Sequence, residues 1–120
     1  MLLYSENVNK DLGPHTEKYR QDFPVVAGAS NIEVRLLINE FDSNDYGNVH
    51  LTLYDKNDQP VANDTFHQFE KYLDVSSKNV SPGEWYIIVS IEKDLGANTV
   101  NVGGNINVFG RDPNSTIISS

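Results

Sequence analysis

The chain has no cysteine, a single methionine and a single tryptophan among its 120 residues. Without cysteine there is no disulfide framework, no thiolate metal site and no cysteine nucleophile, and redox chemistry says nothing about the compartment. Basic residues are scarce as well: nine Lys and Arg stand against 17 Asp and Glu, a formal net charge of -8. Binding a nucleic-acid backbone takes clustered lysine and arginine that displace condensed counterions, so nucleic acid is set aside as a partner and a cationic surface or ion fits better. Long apolar runs are missing too. The longest, Trp85 to Val89, is far below the roughly 20 residues that cross a bilayer. The start Met-Leu-Leu-Tyr-Ser-Glu-Asn has no basic region followed by a long apolar one. Neither membrane insertion nor a signal peptide is expected. No Gly-x-Ser-x-Gly elbow occurs and the serines fall in turns or tails, so the chain reads as a non-enzyme.

What is present is alternation. Ser81 to Ile91 carries Pro82-Gly83, a turn pair that delivers the chain into Trp85, Ile87, Val89 and Ile91 on one side and Tyr86, Ile88 and Ser90 on the other. Both sides are largely apolar or aromatic, the mark of an interior strand covered on both faces. Ile32, Val34, Leu36 and Ile38 alternate with Asn31, Glu33 and Arg35, and Tyr19, Phe23 and Val25 share one parity. Val49, Leu51 and Leu53 form a further strand, with Asp55 to Pro60 as a polar reversal and Pro60 at an edge or in the turn. Asn63 to Val75 fits a loop followed by a strand. Val100, Val102, Ile106 and Val108 make two short runs that Gly103-Gly104 is expected to break with a bulge or bend.

About seven to eight short strands with turn signals between them and no convincing helix predict an all-β fold, an antiparallel β-sandwich of jelly-roll-like type. The length suits one domain. Residues 17–109 are assigned to the sandwich, 1–16 to an N-terminal arm with few periodic apolar positions, and 110–120 to a C-terminal arm.

The order of three motifs resembles the bacterial pre-peptidase C-terminal domain family, small sandwiches related to collagen-binding modules. They are Tyr-Arg-Gln-Asp-Phe-Pro-Val-Val-Ala-Gly at 19–28, His-Leu-Thr-Leu-Tyr-Asp at 50–55 and Pro-Gly-Glu-Trp-Tyr-Ile-Ile-Val at 82–89. His50 stands where the family usually has aspartate. The resemblance implies a secreted, calcium-dependent module for carbohydrate or collagen. The expectation is of a free-standing copy beginning at its own methionine, which the usual role as a protease appendage does not explain.

Hard oxygen ligands of the kind Ca²⁺ collects, about six to eight at a time, concentrate at Glu40, Asp42, Asn44 and Asp45. These are the candidate metal ligands, and the alternative is a solvated acidic loop. The spacing is not that of an EF-hand, because Tyr46 and Leu53 occupy ligand places. His15, His50 and His67 show no metal-ligand spacing. Tyr46, Tyr54, Phe66 and Tyr72 are the candidate binding residues, an aromatic platform whose alternative is a second core layer. No other cofactor is implied.

The functional expectation is a non-catalytic structural or accessory subunit that binds a larger assembly, of the virion-decoration or surface-layer kind. Its partners would be proteins, as a homo-oligomer or within a larger assembly. Its arms would contact neighbours by strand addition, at a virion or extracellular surface.

Overall fold

A strand that is apolar on one side must bury that side against another layer, and here two sheets do so. The computed structural model describes residues 1–13, 16–39, 48–66, 72–92 and 99–110. Those residues form eight strands: β1 (Leu2–Leu12), β2 (Lys18–Val25), β3 (Ala29–Asn39), β4 (Val49–Tyr54), β5 (Pro60–Phe66), β6 (Tyr72–Ser77), β7 (Gly83–Ile91) and β8 (Val100–Gly110). Sheet A has the order β1-β8-β3-β6 and sheet B the order β2-β7-β4-β5. Every pairing is antiparallel, and β1 pairs β8, β2 pairs β7, β3 pairs β6 and β4 pairs β5. That nested set is a jelly roll, one long hairpin wound into two facing sheets.

The inner faces are built from the alternating positions. Ile32, Val34 and Leu36 of β3, with Ile106 and Val108 of β8 beside them in sheet A, face Leu51 and Leu53 of β4 and Trp85, Ile87 and Val89 of β7 in sheet B, all at 1% exposure or less. No polar or charged side chain is buried among the described residues. β7 is an interior strand of sheet B, between β2 and β4. Gly83 opens it at φ +147°, a backbone region where a Cβ is strained. The Trp85 indole N–H donates to Ser81 O at 2.9 Å, tying the core strand to the turn before it. Tyr86, on the opposite side of β7, is also buried.

Three features differ from what the pattern predicts. Over Leu2–Leu12 the segment read as an arm is an edge strand of sheet A, fixed by Val8 and Leu12 in the core and by antiparallel pairing along β8 from Leu2 to Leu12, with one irregularity between Leu2 and Tyr4. Only these two of its side chains are buried, so its periodicity is faint. Asn63 to Phe66, read as loop, completes β5, whose polar residues sit on an edge strand that needs few apolar positions. β8 runs unbroken through Gly103 and Gly104, where its register with both β1 and β3 is regular; the irregularities of these pairings lie at its far end, between Leu2 and Tyr4 and between Ala29 and Asn31. The expected bulge is absent because Val100, Val102, Ile106 and Val108 keep one parity across the glycine pair. Pro60 is the first residue of edge strand β5. The Asp55 to Gln59 turn is held by Asp55 Oδ1, which accepts from the N–H groups of Asn57 (2.9 Å) and Gln59 (3.0 Å).

Candidate functional site

Each sheet presents one face to solvent, and register decides which polar side chains meet there. On sheet A, residues of β1, β8, β3 and β6 line up in cross-strand rows. One row reads Ser5, Asn107, Glu33, Ser76; the next reads Asn7, Asn105, Arg35, Asp74; the third reads Asn9, Gly103, Leu37, Tyr72. A fourth, across three strands, reads Asp11, Asn101, Asn39. These side chains bond to one another. Ser5 Oγ donates to Asn107 Oδ1 at 2.7 Å. Asn101 Nδ2 donates to Asn9 Oδ1 (3.0 Å) and Asp11 Oδ1 (2.9 Å), and Asn39 Nδ2 donates to Asn101 Oδ1 at 3.3 Å. Arg35 grips Asp74 through Nε at 2.8 Å and Nη2 at 3.4 Å, and its guanidinium lies 4.9 Å from the Tyr72 ring centre. The hydrogen bond to Asp74 and then its charge hold the Arg35 guanidinium more firmly protonated than usual.

An open groove of about 520 Å³ runs between Glu33, Arg35, Asp74, Ser76 and Asn107 on this face. Its floor is backbone at Val34 and Val75, whose side chains point into the core.

The outer face of sheet B is differently built. Tyr54 stacks on Tyr86 with centroids 4.7 Å apart and planes at 13°, and the Arg20 guanidinium lies 3.7 Å from the Tyr86 ring centre. Arg20 Nε also donates to Asp22 at 2.7 Å. Burial under these neighbours, and then a hydrogen bond with Asp58, push the Tyr86 phenol up. His50 is bracketed by Thr65 Oγ1 (3.0 Å) and Glu92 Oε1 (2.8 Å), and the hydrogen bond to His50 pulls the Glu92 carboxyl down. The aromatics of this face are thus occupied with one another and with Arg20.

The four outer strands are guarded against strand addition. Glu6 and Lys10 share the inward parity of Val8 and Leu12 on β1, Pro24 sits in β2, and Pro60 opens β5. Asp64 of β5 reaches across the rim, where its Oδ2 accepts the Asp74 N–H of β6 at 2.9 Å. Inward charge, proline and a capped N–H are the devices that keep sheet edges from pairing with other chains.

At the β1–β2 rim the Tyr4 hydroxyl donates to Glu6 Oε2 at 2.7 Å. That hydrogen bond first, then burial and the charges of Glu6 and Glu84, push its pKa from 10.0 up to about 12. A raised folded-state value favours the native state fully while the unfolded phenol is still protonated, and the benefit fades as pH climbs through the folded value. In a series of melts the stability difference between wild type and Tyr4→Phe should be constant below about pH 10 and close between about pH 10 and 12. A difference that stays constant through that window would contradict the assignment.

The residues singled out in the sequence scatter. Tyr54 lies on the outer face of sheet B, Tyr72 on the outer face of sheet A, and Phe66 is 5% exposed in the core. They do not form one platform. Glu40, Asp42, Asn44, Asp45 and Tyr46, and with them the calcium reading, lie outside the described residues, as do His15, His67 and residues 111–120. Among the described residues no group of three His, Asp or Glu could hold a metal ion. The asparagine face of sheet A is new to the structure. Its signal was present in β8, where Asn101, Asn105 and Asn107 alternate with Val and Ile.

No family model matches the chain, and no curated protein does. Among solved structures it is similar to the lipase BlEst2 of Bacillus licheniformis in propeptide form, with a TM-score of 0.56 and 18% identity over 98% of this chain. The chain spans 24% of the length of that structure. The likeness is one of fold, an all-β arrangement of two antiparallel sheets.

Proposed function

We propose that the chain is a non-catalytic accessory module that docks the outer face of sheet A onto a larger assembly, as a structural subunit of the surface-layer or virion-decoration kind. The observation that carries this reading is the side-chain network across that face, from Asn39 through Asn101 to Asn9 and Asp11, with the Arg35–Asp74 pair beside it. A surface whose side chains are already fixed by one another loses little freedom on binding. Leu37 (38% exposed) and Tyr72 (43% exposed), directly paired, add apolar contact in the same patch.

The guarded edges favour docking through a face over strand addition, and residues 2–12 are already committed to β1. The motifs that resemble pre-peptidase C-terminal domains fall on β2, β4 and β7, three adjacent strands of sheet B. This leaves sheet A free to diverge and supports an accessory role of the kind that family has. A fold that elsewhere occupies 24% of a longer chain is in keeping with the same role.

Purified protein mixed with virions or cell-envelope particles of its source should co-sediment with them. A variant combining Arg35→Ala and Tyr72→Ala, with unchanged thermal stability, should bind at least about tenfold more weakly, or about 1.4 kcal/mol. Equal retention of the two proteins, or turnover of a p-nitrophenyl ester by the wild type, would contradict the reading.

A further inference from the structure

We propose that the groove on sheet A, formed by Arg35, Asp74, Ser76, Glu33 and Asn107 with Tyr72 in the neighbouring row, is a calcium-independent site for a neutral, hydroxyl-rich polysaccharide. This rests on the docking reading above and names the chemistry of the surface that is docked.

Three observations converge on it. First, amides dominate the face: Asn7, Asn9, Asn39, Asn101, Asn105 and Asn107 all lie in its rows. Each amide offers both donors and acceptors, as does a sugar hydroxyl, whereas an ionic partner would be met by charge of one sign. Asn107 spends its Oδ1 on Ser5, so its N–H groups are what it offers a ligand. The one basic side chain in the groove, Arg35, is paired with Asp74. The pair presents a fixed planar fork next to a carboxylate, a donor–acceptor combination suited to adjacent hydroxyls and poorly suited to an anion.

Second, the shape is that of a trough. Gly103 places no side chain between Asn9 and Leu37, and the space above it is open enough that a Cβ would meet nothing closer than 3.7 Å. Successive outward rows, two residues and roughly 6.6 Å apart along the strands, differ in composition but set a polar row on either side of the Gly103 gap, a length of surface along which an extended polymer can lie. Third, the Tyr72 ring, 43% exposed and steadied by Arg35, offers an apolar surface on which the C–H face of a sugar ring can lie.

The test is co-sedimentation with insoluble cellulose, chitin, xylan and mannan. Wild type should be retained by at least one of them, in EDTA as well as in Ca²⁺. Tyr72→Ala and Asn107→Ala should each weaken retention at least tenfold, and Tyr54→Ala, on the opposite face, should leave it unchanged. Soluble oligosaccharide from the retaining polymer should compete, a readout that needs no variant to fold. Retention by none of the four polymers overturns the inference, and so does loss of binding in EDTA or equal loss in Tyr54→Ala. Should the protein ignore the polysaccharides yet still co-sediment with particles through Arg35 and Tyr72, a protein surface is the partner. The polysaccharide inference then falls while the docking reading stands.

Discussion

Replacing Gly104 by alanine should cost about 3 kcal/mol or more, at the upper end of what overpacking a core costs. Gly104 sits in the middle of β8, hydrogen-bonded on one side to β1 and on the other to β3. A Cβ there would fall 2.0 Å from the Arg35 carbonyl oxygen and 3.0 Å from Leu36 Cα. Both are backbone atoms of the adjacent strand, so relief requires β3 and β8 to separate and the ladder to open. Gly103→Ala is the control. A Cβ at that position meets only Asn101 Oδ1 and Val8 O at 3.7 Å, ordinary contact, so the change should be neutral or stabilising by about 0.5 kcal/mol through lower unfolded-state entropy. Thermal melts should put Gly104→Ala roughly 10 °C or more below wild type, with Gly103→Ala at or above it. Similar melting for the two variants would show that sheet A is not paired in this register.

Trp85→Ala should be as damaging, at about 3–5 kcal/mol, the usual cost of truncating a fully buried aromatic. Trp85 is 1% exposed, paired with Phe23 of β2, and packed among the apolar side chains of both sheets. Its indole N–H also satisfies Ser81 O at 2.9 Å, so truncation leaves both a cavity and a carbonyl without that donor. Trp85→Phe keeps a ring and gives up the N–H, and its cost should be lower, about 2 kcal/mol. Urea unfolding followed by circular dichroism separates the cases, with midpoints in the order wild type, Trp85→Phe, Trp85→Ala at an unchanged slope. A Trp85→Ala midpoint within error of wild type would remove Trp85 from the core.

β3, β4 and β7 are legible in the sequence because their core-facing positions are Ile, Val, Leu and Trp at period two, with Tyr86 of β7 buried in addition on the other side. β1 and β5 are not. They lie at sheet edges, where Val8 and Leu12, or Phe66 alone, suffice to fix a strand, and where Asn, Asp and Ser read as loop. The glycine pair in β8 reads as a bulge from the sequence, while its cause, the close approach of β3 at Gly104, lies in a strand some 70 residues away. The sheet A face was hidden for a related reason. Ser5 and Asn107 are separated by 102 residues, and Arg35 and Asp74 by 39. Only the pairing of first strand with last, and third with sixth, brings them together. Aromatic residues were the better-known sign of a binding surface, yet Phe66 went to the core and Tyr54 to a stack with Tyr86.

Amide chemical-shift mapping tests the working surface most directly. With the oligosaccharide or particle fragment that competes for binding titrated into labelled protein, the largest shifts should fall on Glu33 and Arg35 of β3, Tyr72 to Ser76 of β6, and Gly103 to Asn107 of β8. Shifts centred instead on β2, β7, β4 and β5, or spread along one sheet edge, would contradict the assignment of function to the outer face of sheet A.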